Sequence, residues 1–112
     1  MINVIENLEI CELKETNYIK PVKVKFTLNG VKKTWEAVIS HDSVSILLYH
    51  TQKKAFLLVK QFRIPVYLND ENIKFTFELC AGLIDKDKSV EEIAIEEIDE
   101  ECGYKIDIKD LK

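Results

Sequence analysis

Residues Val22 to Leu28 read Val-Lys-Val-Lys-Phe-Thr-Leu, an apolar and polar alternation with the period of two of a half-buried strand. Asn29-Gly30 follows, a dipeptide suited to a type I′ turn because both positions tolerate positive φ, and Val31 to Val38 can return as the partner strand, carrying Trp35. Ser43 to Tyr49 and Ala55 to Phe62 are apolar, branched or aromatic runs split by the polar stretch His50 to Lys54, which predicts a second hairpin lying deeper in the core. Ile73 to Leu79 alternates again. Pro65 to Glu71 is expected to be a loop, and Ile2 to Leu13 a further strand.

The period then changes. Ser89-Val90-Glu91-Glu92 has the form of a capping box, so a helix should begin there. Val90, Ala94, Ile98 and Cys102 fall four apart with Ile93 beside them, one buried stripe, and Gly103 supplies the left-handed residue that commonly ends a helix. Tyr104, Ile106 and Ile108 predict one more strand. Several strands around one strong helix make an α+β arrangement.

Composition narrows the class. A chain of 112 residues has room for one domain, and 46% apolar with 32% charged residues fits a soluble globular protein rather than a disordered, collagen-like or membrane-spanning one. The longest uninterrupted apolar stretches, Ile46 to Tyr49 and Ala55 to Val59, fall far short of the ~18 residues of a bilayer helix. The first residues lack a basic leader followed by an apolar block, which gives a cytoplasmic location as the expectation. Cys11, Cys80 and Cys102 match neither a zinc spacing nor a redox pair and are expected to be reduced core residues. His41 and His50 have no partner motif and are expected to be structural.

Charge points to chemistry. The net charge of -4 divides into +2 over residues 1 to 84 and -6 over 85 to 112, an acidic segment that disfavours nucleic acid and anionic membranes as partners. Glu91, Glu92, Glu96, Glu97, Asp99, Glu100 and Glu101 share the expected helix with no base among them. Like-charged pairs three or four apart each cost ~0.2–0.5 kcal/mol, and the negative end of the helix dipole disfavours Glu100 and Glu101 further. A divalent cation would offset this, since Mg²⁺ or Mn²⁺ accepts hard oxygen ligands at such spacing. A run of Glu is equally what the solvated face of an amphipathic helix looks like, and composition does not separate the two readings.

Order does. Gly82, Glu97, Ile98, Glu100, Glu101, Gly103 and Tyr104 stand at the offsets of the signature of the Nudix hydrolases, which reads Gly, five residues, Glu, seven residues, Arg-Glu-apolar-x-Glu-Glu-x-Gly-apolar; this segment, 82 to 104, resembles that box. Two positions depart, with Lys88 where the family has Glu and Glu96 where it has Arg, so a bridge of reversed polarity between them is expected. Val59 to Arg63 with Pro65-Val66-Tyr67, and Glu78-Leu79-Cys80-Ala81-Gly82, are similar to segments of the Nudix enzymes that cleave nucleoside diphosphate sugars, in the form associated with the UDP-sugar rather than the ADP-ribose branch.

The resemblance implies a Nudix-type mixed β-sheet with its loop and helix, residues 1 to 38 forming N-terminal strands and a hairpin that serve dimerisation, and 39 to 112 a partial core, truncated at the C-terminus. It implies metal-dependent hydrolysis of a nucleoside diphosphate sugar, UDP-glucose-like or ADP-ribose-like, to a nucleoside monophosphate and a sugar phosphate, by a cytoplasmic homodimer. Glu97, Glu100 and Glu101 would be catalytic and, with the Ala81 carbonyl, would hold Mg²⁺ or Mn²⁺; Arg63, Glu78 and Trp35 would lie on the substrate side. Arg63 is the one arginine beside fifteen lysines, and its planar fork suits a diphosphate better than a lysine does. The alternative is a catalytically weak Nudix module that binds ligand and dimerises.

Overall fold

The strand pattern resolves into eight short strands and two helices in a computed structural model, which describes residues 4–85 and 87–112. By internal contacts the chain forms two units, one of Asn7–His41 and one holding Asp42–Lys112 with the first few residues.

The first unit is the predicted hairpin. Strand β1 (Lys20–Leu28) pairs antiparallel with β2 (Val31–Ile39), with Leu28 opposite Val31 and Val24 opposite Trp35. Asn29 and Gly30 take φ of 51° and 79°, the two positive values a type I′ turn requires. Directly opposed residues share a face, so Val24, Phe26, Leu28, Val31 and Trp35 make one largely apolar face, with Lys33 opposite Phe26 on it, while Lys23, Lys25, Lys32 and Glu36 lie on the other. The strand expected over Ile2 to Leu13 does not form within Val4–Leu13; Asn7 has φ 54°, which breaks an extended run, and Ile2 lies outside the described residues.

In the second unit the three predicted β segments exchange partners halfway along. Strands β3 (Ser43–Ile46) and β4 (Leu48–His50) follow one another through Leu47, β5 (Ala55–Leu57) and β6 (Val59–Gln61) through Leu58, and β7 (Thr76–Glu78) and β8 (Cys80–Leu83) through Leu79. Only β4 and β5 keep the expected hairpin pairing, closed by a hydrogen bond from the Lys53 backbone N–H to Nδ1 of His50 at 3.1 Å. Strand β3 pairs instead with β8, and β6 with β7. The expected strand over Ile73 to Leu79 is thus paired only from Thr76 to Glu78.

Helix α1 (Ile64–Asn69) replaces the loop expected at Pro65 to Glu71, because Pro sits in the first turn, where its missing N–H costs nothing and its φ is already helical. Helix α2 (Val90–Glu97) starts where predicted, with Ser89 Oγ accepting from the Glu92 amide at 3.2 Å. Its last turn, Ile98–Cys102, widens to a π-helical one before Gly103 ends it at φ 75°. The helix packs on β3 and β8, where Ile93, Ala94, Ile98 and Cys80 are buried. Two expectations shift here: Val90 is exposed, and Cys102 is half-buried. Cys11 is exposed rather than a core residue.

The strand expected after Tyr104 is not formed. Asp107 accepts from the Lys109 amide at 3.3 Å and Asp110 returns a bond to the Asp107 amide at 3.1 Å, a capping box that starts a 3₁₀ turn at Ile108–Asp110 in its place. Among the described residues no helix is long and apolar enough to cross a membrane.

Candidate functional site

The ladder of β6 and β7 sets the first part of the site. Val59 faces Glu78 and Gln61 faces Thr76, so these four side chains and Arg63, two residues beyond Gln61, follow one face of the ribbon. Arg63 stands where β6 gives way to α1, in extended geometry, and its carbonyl accepts from the Tyr67 amide at 3.0 Å. Its guanidinium meets Glu78 edge-on, with Nε donating to Oε2 and Nη2 to Oε1, each at 2.8 Å. The Thr76 hydroxyl donates to Glu78 Oε2 as well. The Arg63 and Thr76 bonds together hold the Glu78 carboxyl down to about 2, well below the ordinary carboxylate range. Arg63 is raised in turn, first by its bond to Glu78 and more weakly by the charge of Glu101.

The second part comes from β8 and α2. A Cβ placed on Gly82 would fall on Cγ, Cδ and Oε1 of Glu97, so the Glu97 side chain lies directly against the strand at a position only glycine leaves open. Two residues earlier on β8, Cys80 is fully buried, and burial pushes its thiol up to about 12, with Cys102 and Glu101 contributing next. It is therefore a neutral thiol at physiological pH, as expected of a core cysteine. Lys88 pairs with Glu96, the expected bridge of reversed polarity.

The predicted residues divide as follows. Arg63 and Glu78 are brought together; Glu97 lies on Gly82, next to Ala81; Glu101 acts on both Arg63 and Cys80. Glu100 is exposed. Among the described residues no three His, Cys, Asp or Glu side chains are gathered closely enough to hold a metal ion by themselves. Trp35 belongs to the other unit, where it stands opposite Val24 with 70% of its surface exposed. Thr76 is the residue that sequence reading missed, although a position two before Glu78 in a strand shares its face and could have been singled out for that reason. The His50 ring lies edge to face with that of Tyr104, 5.7 Å between centroids.

No family model matches the chain. Among known proteins it resembles the uridine diphosphate glucose pyrophosphatase NUDT14 of Bos taurus, 32% identical over 96% of the chain and 60% of that protein. A GDP-mannose pyrophosphatase of Yersinia pestis (strain Pestoides F) is 37% identical over 92% of the chain and 54% of its own length. The chain is a homologue of Nudix sugar-nucleotide pyrophosphatases. It spans little more than half the length of these relatives, 54% to 60%. The segment that resembles a Nudix box runs from Gly82 on β8 to Tyr104 just past the π turn, with Glu97 folded back onto Gly82.

Proposed function

We propose that this chain carries the diphosphate-cleaving site of a metal-dependent Nudix hydrolase, acting on a nucleoside diphosphate sugar to give a nucleoside monophosphate and a sugar phosphate. The observation that carries the reading is the packing of Glu97 onto Gly82, which sets a helix carboxylate against the strand that enters the box. Arg63, in the field of Glu101, places a cation with unused N–H donors beside the same acidic turn.

The donor set fits Mg²⁺ or Mn²⁺. Glu97 and Glu101, with Glu100 and the Ala81 carbonyl, offer only hard oxygens, and Mg²⁺ is usually taken by one or two carboxylates while waters and substrate phosphate complete its shell. A preformed cluster of three carboxylates is then not required. Bound there, the ion would neutralise the diphosphate and acidify a water. Arg63 binds the phosphate oxygens through the donors Glu78 does not use and stabilises charge that develops on them. The fold implied is the Nudix-type mixed sheet, and the apolar hairpin face bearing Trp35 is assigned to a second copy, giving a homodimer.

UDP-glucose, GDP-mannose and ADP-ribose are the substrates to assay with Mg²⁺, following release of nucleoside monophosphate. Cleavage lost in Glu101→Gln supports the reading. No cleavage of any of the three by the wild type, with Mg²⁺ binding no different in Glu101→Gln, would replace it with the non-catalytic ligand-binding module.

A further inference from the structure

We propose that Thr76 and Glu78 are positioning residues for Arg63: the Thr76 hydroxyl fixes the Glu78 carboxylate, which holds the guanidinium edge-on so that its remaining N–H groups are presented to a diphosphate. The inference rests on the hydrolase reading for its substrate and moves Glu78 from the substrate side to the support of Arg63.

A guanidinium has five N–H donors, and Glu78 takes one from Nε and one from Nη2. Three remain for an anion, two on Nη1 and one on Nη2, on the edges away from the carboxylate. The backbone of Arg63 is already anchored at the joint of β6 and α1, but the long side chain is 49% exposed and has no such anchor of its own. Among the described residues only the pair with Glu78 fixes it, and an exposed ion pair on two long side chains is ordinarily mobile. Thr76 changes that. Its single hydroxyl proton has two acceptors within reach, the Gln61 carbonyl at 3.5 Å and the nearer, charged Oε2 of Glu78, and the charged acceptor makes the stronger bond. Oε2 then accepts from Thr76 and Arg63 at once, so rotating Glu78 away breaks three bonds rather than two. The period of the strand makes this possible: Thr76 and Glu78 are two apart on β7, and Arg63 continues the opposing strand on their face.

Thr76→Val decides between this role and a merely structural one. Valine keeps the branched shape that suits a strand and removes only the hydroxyl, so a structural threonine would be replaced at little cost. Arg63 is the one arginine, and a ¹⁵N-labelled sample of the 112-residue chain gives a single Nε–H signal with no assignment needed. Its exchange with water should quicken roughly three- to tenfold in Thr76→Val, about what one net hydrogen bond is worth, and return to the wild-type rate in Thr76→Ser. The dissociation constant for UDP-glucose with Mg²⁺ should rise by a similar factor in the valine variant and recover in the serine one. Unchanged exchange in Thr76→Val overturns the proposal, as does faster exchange with unchanged affinity. Amide signals in the same spectra report folding, and Thr76→Ala replaces valine if that variant does not fold. If the wild type binds no UDP-glucose, the diphosphate reading fails, and the exchange rates separately decide whether Thr76 holds Arg63.

Discussion

Gly82 is the residue on which structure and chemistry can be separated. The atoms a Cβ would meet there all belong to the outer part of the Glu97 side chain, which can swing aside without moving backbone. Gly82→Ala should therefore cost little stability, under ~1 kcal/mol in a urea titration, yet displace the carboxylate from the strand. Mg²⁺ affinity and turnover should both fall; a variant with full turnover would show that the position of Glu97 is unimportant. Glu78 gives a second residue-scale prediction. Its folded-state value near 2 lies below the usual 4.5, so the stability it contributes is complete above the unfolded value and is lost as pH falls from about 4.5 to 2. Glu78→Gln should flatten that part of the stability curve while leaving its course above pH 6 parallel to the wild type.

At the scale of elements, the bridge from Lys88 to Glu96 ties the loop ahead of α2 to its second turn. Both side chains are partly exposed, so the pair is worth no more than ~1 kcal/mol. Lys88→Glu alone sets two like charges together and should lower the urea midpoint; adding Glu96→Lys should restore it, a coupling that a double-mutant cycle measures. What the sequence made legible here was the part with strong local signals. Asn29-Gly30, Ser89 and Gly103 each force a conformation by their own chemistry, and the structure places turn, cap and helix end at those residues. Pro65 suggests the opening of a loop although its ring equally suits a first helical turn, and Ile106 and Ile108 suggest a strand where two aspartates form a local cap instead. In the site, the glutamates and Arg63 could be read from order along the chain. The contact of Arg63 with Glu78 could not, since it depends on which strand β6 pairs with, a non-local choice that apolar runs on both faces leave undetermined.

At the scale of the whole molecule, the hairpin leaves large apolar side chains exposed to solvent. Trp35 is the one tryptophan, and it lies on an exposed apolar face of the hairpin with Val24, Phe26, Leu28 and Val31. If a second copy covers that face, tryptophan emission should shift to the blue as concentration rises, together with a doubling of mass by light scattering; Phe26→Lys, which keeps the tryptophan, should abolish both. Emission that stays red at every concentration, with a monomer mass, would rule out pairing through this face.

The exchange of partners at Leu47, Leu58 and Leu79 bears on how such a chain reaches its native state. Every ribbon of the second unit borrows both of its strands from segments that also serve another ribbon, and two of the three join positions far apart along the chain, their nearest pairs being Ile46 with Cys80 and Gln61 with Thr76.

 The β4 to β5 hairpin can close first over its short turn, which leaves the chain to find the other two pairings over longer loops. Amide protons in all three should consequently exchange with deuterium at one common rate under native conditions, because opening any one of them releases the strands its neighbours depend on.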